Sequence, residues 1–240
     1  PLIDMKIASD EIRPGDPLNM KPLCSNPVYS PGEKGTTTCV VVDKWGNAVA
    51  ATPSSNGDYG ICEPLGFAHN TRLTSFNTQK GHPNSIAPFK RPRITLTPTI
   101  VLKDGKPVIV ISVAGGDMQD QVSLQLILDN IDFGMRPKEA MSSPRFYTYH
   151  TGNSFDPSPD PVKRLFKIGA LDIYPAGEKV MKDLENRKHV VAIVPGPIGA
   201  PVMVYIDRTS GIYYGATDPH KEGERPKGKY CGALELSEIE

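Results

Sequence analysis

A mixed α/β domain is what this sequence predicts, and three observations predict it. Two stretches alternate strand-forming runs with turn residues, an amphipathic helical stretch follows the second directly, and 38% apolar residues in a chain of 240 suffice to bury one main core. The first strand pattern starts at Thr36, runs through Cys39, Val40, Val41 and Val42 to about Asp43, turns at Lys44-Trp45-Gly46-Asn47, and returns from Ala48 to about Ser54. In the second, Thr97 to Lys103 and Val108 to Val113 flank Asp104-Gly105-Lys106-Pro107. That strand leads into Gly115-Gly116 and a helix from about Asp117 to Ile131, whose Val122, Leu124, Ile127, Leu128 and Ile131 have the spacings of a core-facing stripe. Further on, the pattern predicts a short helix near Pro137 to Met141 and an amphipathic helix from about Gly177 to Asn186. Strands are expected near Val190 to Val194, Val202 to Ile206 and Gly211 to Tyr214.

Two regions fall outside this pattern. Residues Pro1 to Lys34 are proline-rich and carry the turn pairs Pro14-Gly15 and Pro31-Gly32, so they read as a tail or linker with at most one short helix before Asp10. Residues 55 to 93 are rich in Gly, Pro, Asn and Ser, and a connection of that length inside a domain is usually functional or mobile. Pro1 is no initiator methionine, so the chain is expected to begin inside a longer precursor.

Charge and composition exclude several function classes. The formal net charge is zero, and the short basic run Lys90, Arg91 and Arg93 lacks interleaved aromatics, which argues against nucleic acid as a partner. No hydrophobic run approaches the roughly 20 residues that span a bilayer, so no membrane partner is expected. Cys24, Cys39, Cys62 and Cys231 lack metal-ligand or redox spacing and read as reduced thiols, which favours the cytoplasm; His69, His82, His150, His189 and His220 show no paired ligand spacing. No cofactor and no metal are expected.

The chemistry concentrates at the first hairpin. Gly35 precedes Thr36, Thr37 and Thr38 at the head of a strand. If the Gly35-Thr36 bond opens, Thr36 gains a free α-amine with a reference pKa near ~8, able to act as base for its own weakly nucleophilic hydroxyl. With Trp45 and Gly46 as the two central turn residues, position 36 pairs with 55 and 37 with 54, so Ser54, Ser55 and Asn56 return beside Thr36. A second cluster, Ala114-Gly115-Gly116-Asp117 at a strand-to-helix junction, offers close backbone N–H groups suited to a tetrahedral oxyanion.

Together these residues resemble a known family. Thr36-Thr37-Thr38, Val42 through Ala50, Lys90-Arg91-Pro92, Thr97-Pro98-Thr99, Gly115-Gly116 and Gly215-Ala216-Thr217-Asp218-Pro219 are similar, in that order, to the small subunit of the γ-glutamyltransferase family. The resemblance implies an N-terminal nucleophile hydrolase fold, a four-layer αββα sandwich of which this chain supplies about half. It implies a precursor that cuts itself between Gly35 and Thr36, leaving 1–35 as the tail of a large subunit and 36–240 as the small-subunit catalytic domain. The implied partner is that large subunit, and a dimer of such heterodimers stays open.

By position, the resemblance makes Thr36 the nucleophile, Ser54 its supporting hydroxyl, Gly115 and Gly116 the oxyanion hole, and Asn56 and Thr95 substrate-binding groups. Ile94 replaces a neighbouring serine, and Thr38 replaces a histidine common in the family. Arg72 and Ser75 stand where γ-glutamyl enzymes hold the substrate's α-amino group with a glutamine and an aspartate. A guanidinium repels an ammonium and pairs with a carboxylate, so Arg72 turns the expectation toward a small carboxylate-bearing amide. Leu65-Gly66-Phe67, Pro83 through Pro88 and Gly115 through Gln121 also resemble the oxamate amidohydrolase branch. The expected activity is therefore an amidohydrolase acting on an oxamate-like amide through a threonine acyl-enzyme. The alternatives are a γ-glutamyltransferase or glutathione hydrolase, and an unprocessed, non-catalytic homologue in which the Thr36 nitrogen remains an amide.

Overall fold

The structure is a computed structural model that describes residues 6–7, 15–16, 21–22, 35–54, 61–62, 67–68, 72–149, 153–155 and 169–219. The strands are β1 (Gly15–Asp16), β2 (Lys21–Pro22), β3 (Cys39–Val42), β4 (Ala48–Ala51), β5 (Ile61–Cys62), β6 (Phe67–Ala68), β7 (Thr99–Lys103) and β8 (Lys106–Ala114). They continue with β9 (Phe146–Thr148), β10 (Ala170–Ile173), β11 (Val190–Ile193), β12 (Ala200–Ile206) and β13 (Tyr213–Thr217). The helices are α1 (Gln119–Ile131), α2 (Pro137–Ser142) and α3 (Glu178–Asn186). Of the short helix expected before Asp10, only Lys6 and Ile7 are described, and they form a bend.

The chain divides into two compact units. Unit 2 draws on Lys34–Ser55, Thr95–Arg145 and Pro195–Glu240. Its centre is an antiparallel sheet in the order β13-β12-β8-β7, with β8 inside. Ile109, Val110, Ile111 and Val113 of β8 are fully buried, because the β3–β4 hairpin and α1 both pack against that strand. Such two-sided burial explains why β8 reads as a continuous apolar run instead of an alternating one.

Unit 1 draws on Pro1–Glu33, Asn56–Ile94 and Phe146–Val194. Its sheet, ordered β11-β10-β9, joins β10 and β11 in parallel through α3 and adds β9 antiparallel to β10. The sequence pattern anticipated β11 and α3 but neither β9 nor β10. Both are short, and the approach to β10 contains none of the turn-bounded alternation that marks the hairpins.

Three expectations are corrected in unit 2. The first hairpin closes through three residues, not two: Asp43 faces Asn47 through a 3.0 Å N–H···O bond, Gly46 N–H returns to the Asp43 carbonyl at 3.0 Å, and Gly46 takes φ +85°. The register becomes Cys39↔Ala51 and Val42↔Ala48. The second hairpin also turns more tightly than expected, at Asp104-Gly105, with Lys103 paired to Lys106. On α1 the buried face is Gln119, Val122, Ser123 and Leu126, whereas Leu124, Leu128 and Ile131 of the expected stripe are 58%, 39% and 55% exposed.

Candidate active site

The corrected turn places Thr36 directly opposite Ser54. Alternation along an antiparallel pair makes them a non-hydrogen-bonded pair, the kind whose side chains approach most closely, since the neighbouring Thr37 N–H donates to the Pro53 carbonyl at 2.9 Å. Pro53 has no N–H to return, so the ladder thins beside this pair. Thr36 Oγ1 and Ser54 Oγ lie 3.0 Å apart, and both residues are half-buried. Gly35, on the other side of the bond expected to open, is exposed. Asn56 lies outside the described residues.

Two hydroxyl contacts fasten this hairpin end to the central strand. Thr52 Oγ1 lies 2.7 Å from Ser112 Oγ, and Ser112 Oγ donates to the Ala51 carbonyl at 2.9 Å; Thr52 and Ser112 are both buried. Ser54 follows Thr52 by two residues and Gly115 follows Ser112 by three. The contact thus ties the segment that carries Ser54 to the strand that ends at the glycine junction.

At the junction Gly115 takes φ +143° and Gly116 φ +58°. A Cβ on Gly115 would sit 3.1 Å from the Cα of Gly199, just before β12, so the position favours glycine by its conformation and is tight in space as well. Gly199 was not singled out in the sequence. Only the pairing of Ala200 with Ala114 reveals that two glycines must meet there.

Thr95 is 6% exposed, and its Oγ1 is buried without a hydrogen-bond partner. The motif Gly215 through Pro219 is anchored at its end by an ion pair between Asp218 and Arg145, whose side chains are almost wholly buried. Burial raises the Asp129 carboxyl above its usual pKa, an effect that the Arg145 charge partly offsets.

Arg72 and Ser75 lie in unit 1, on a short 3-10 helix spanning Arg72–Ser75. Arg72 is no solvated surface arginine: it is 6% exposed, with its guanidinium 5.0 Å from the Phe155 ring centroid. Ser75 is 1% exposed, its carbonyl accepts from Asn84 Nδ2, and its Oγ has no hydrogen-bond partner. Among the described residues no three His, Cys, Asp or Glu side chains cluster as a metal site, and no helix is long and apolar enough to cross a membrane.

Comparison with known proteins places this geometry in a family. The Gamma-glutamyltranspeptidase family profile matches residues 4–227. The glutathione hydrolase proenzyme of Bacillus subtilis (strain 168) is 30% identical over 234 residues, which cover 92% of this chain and 36% of the relative. The glutathione hydrolase proenzyme of Escherichia coli (strain K12) is 31% identical, with 92% and 35% covered. The chain thus spans about a third of the length of these curated relatives. A mutant gamma-glutamyltranspeptidase of Helicobacter pylori, known as a crystal structure, superimposes with a TM-score of 0.59 at 29% identity, and 77% of this chain covers 100% of that one. The N-terminal nucleophile hydrolase fold expected from the resemblance is therefore the fold of this chain, which belongs to the γ-glutamyltranspeptidase family.

Proposed function

We propose that this chain is the small-subunit portion of a self-processing γ-glutamyltransferase-type enzyme, a glutathione hydrolase in its simplest form. The observation that carries the reading is the Thr36 to Ser54 hydroxyl pair, 3.0 Å apart, directly after Gly35 in a chain of this family. Two of the family's curated members are named glutathione hydrolase proenzymes, which supports a γ-glutamyl amide as substrate and cutting as the step that creates the enzyme.

The reaction runs through one acyl-enzyme. Cleavage between Gly35 and Thr36 frees the Thr36 α-amine, which takes the hydroxyl proton as Oγ1 attacks the amide carbon, with Ser54 holding Oγ1 in line. Backbone N–H groups of Gly115 and Gly116 receive the oxyanion, and Thr95 Oγ1 and Asn56 bind the substrate's polar groups. The C–N bond breaks, the protonated amine passes its proton to the departing nitrogen, and an ester on Thr36 remains. Water, activated by the same amine, hydrolyses that ester; an acceptor amine in place of water makes the reaction a transfer. Segment 1–35 is then the tail of the large subunit, which is the partner.

A second reading, amide hydrolysis of a small oxamate-like carboxylate, is favoured by one observation. The cation Arg72 is buried against Phe155 beside the buried hydroxyl of Ser75, where an ammonium-binding site calls for an acid. Two measurements on the complete precursor decide. Intact mass after ageing should show a species that begins at Thr36, and a chain that stays whole in an inert assembly overturns both readings. Turnover of glutathione, glutamine and oxamate then ranks the substrates: preference for glutathione supports the first reading, preference for oxamate the second.

A further inference from the structure

Gln119 is fully buried at the first position of α1, on the face turned to the core. A primary amide carries two N–H donors and an acceptor oxygen, and burying them unpaired is costly. The carbonyl oxygens of Thr95 and Val113 lie 2.9 and 2.8 Å from one end of this amide. Two acceptors require the nitrogen to face them, so the amide oxygen faces the Gly116 N–H, at 3.3 Å.

The strand ladder explains why Val113 needs an outside donor. Across from it on β12 stands Pro201, which has no N–H, and on the other side β7 begins only at Thr99, opposite Ile111. Gln119 supplies the missing N–H. Its second N–H reaches Thr95, whose own Oγ1 is buried and has no hydrogen-bond partner. Ser123 Oγ, one turn along α1, lies 3.3 Å from Thr97 Oγ1 and ties the same segment to the same helix.

We propose that Gln119 is a positioning residue: one buried amide fixes the Gly115-Gly116 junction and the main chain of Thr95 in a single arrangement, its oxygen orienting the Gly116 N–H through a long bond that this donor shares with the oxyanion, so that the oxyanion and the substrate's polar end are met together. This rests on the acyl-transfer reading above. A side chain of equal length without an amide would fill the space and leave two carbonyls and one N–H unanswered.

The test uses the complete precursor with Gln119→Met and Gln119→Glu. Misplacement of reacting groups by a fraction of an ångström to one ångström costs up to about 10²-fold, so Gln119→Met should lower kcat roughly 10- to 100-fold while KM changes by no more than about threefold. In Gln119→Glu, a protonated carboxyl can still donate to one carbonyl and accept from Gly116, whereas a carboxylate would face two carbonyl oxygens. Burial raises the carboxyl's pKa, so kcat of this variant should fall as pH rises through that raised value. That limb is opposite in sign to the rise produced by an α-amine base. Hydrogen exchange supplies a readout independent of turnover: in Gln119→Met the segments 93–97 and 114–119 should exchange faster while the rest of α1 keeps its protection. Unchanged kcat in the folded Met variant, a pH profile of the Glu variant that matches the wild type, or unchanged exchange in those segments overturns the proposal. A wild-type precursor that neither cuts nor turns over overturns the acyl-transfer reading instead, and the exchange measurement still decides whether Gln119 holds the junction.

Discussion

Unit 2 and unit 1 carry different parts of the proposed chemistry on different kinds of scaffold. In unit 2 the candidate nucleophile pair and the glycine junction lie just beyond the ends of regular strands, and the Thr52 to Ser112 contact fastens the hairpin to the buried stretch of β8. In unit 1 the residues that point to substrate choice, Arg72 and Ser75, sit on one short 3-10 helix. Strand ends hold geometry where side-chain contacts to a buried sheet take over from the ladder, while a short turn accepts substitution without disturbing a sheet. If the proposed roles hold, the contrast means that reaction type and substrate choice can vary separately in this chain.

Several measurements can break or sharpen that contrast, the largest effect first. Thr36→Ala should abolish both self-cutting and turnover of every amide, read by intact mass and by amine release; residual cutting would remove the nucleophile from unit 2. Ser54→Ala should slow turnover roughly 10²-fold or more, equally for all substrates, because it loses the hydroxyl that orients Oγ1. Arg145→Ala removes the cation paired with the buried Asp218 carboxylate, and breaking such a pair costs about 3–5 kcal/mol, measurable by denaturant unfolding of the complete protein. Arg72→Gln should leave self-cutting intact and shift the ratio of glutathione to oxamate turnover toward glutathione. Lost cutting in that variant would merge the two roles.

The smallest effect concerns Asp43, whose carboxylate accepts from the Asn47 side chain at 2.8 Å and from the Trp45 and Asn47 backbone N–H groups. The Asn47 side-chain bond, foremost among these, lowers its pKa below the ordinary aspartate value. A depressed folded-state pKa contributes stability that is present above the unfolded value and lost as pH falls through the folded one. The difference in thermal midpoint between wild type and Asp43→Ala should therefore narrow as pH drops below the usual aspartate range.

Much of unit 2 was legible in the sequence because its signals are local. Both hairpins, the helix after the second, and the return of Ser54 toward Thr36 follow from turn residues and strand runs within about 20 positions. The buried face of α1 was misread for a physical reason: it consists of Gln119, Val122, Ser123 and Leu126, and half of it is polar. Those polar groups are satisfied by distant main chain and by Thr97, partners that no periodicity reveals. Gly199 and the burial of Arg72 were hidden likewise, since each depends on a residue far along the chain, Gly115 in one case and Phe155 in the other. The two-residue turn failed by one position, enough to exchange Ser55 for Ser54 opposite Thr36.

That single position gives the exposed loop Lys44-Trp45-Gly46 an unsuspected authority over events ten residues away. Trp45, 77% exposed, sits at a tip whose closing pair, Asp43 with Asn47, sets the register of both arms, and a change that moved this closing pair by one residue on one arm would set a different residue opposite Thr36. The point of closure, held by the Asp43 carboxylate and the backbone of Gly46, is what evolution or an engineer must preserve at this tip.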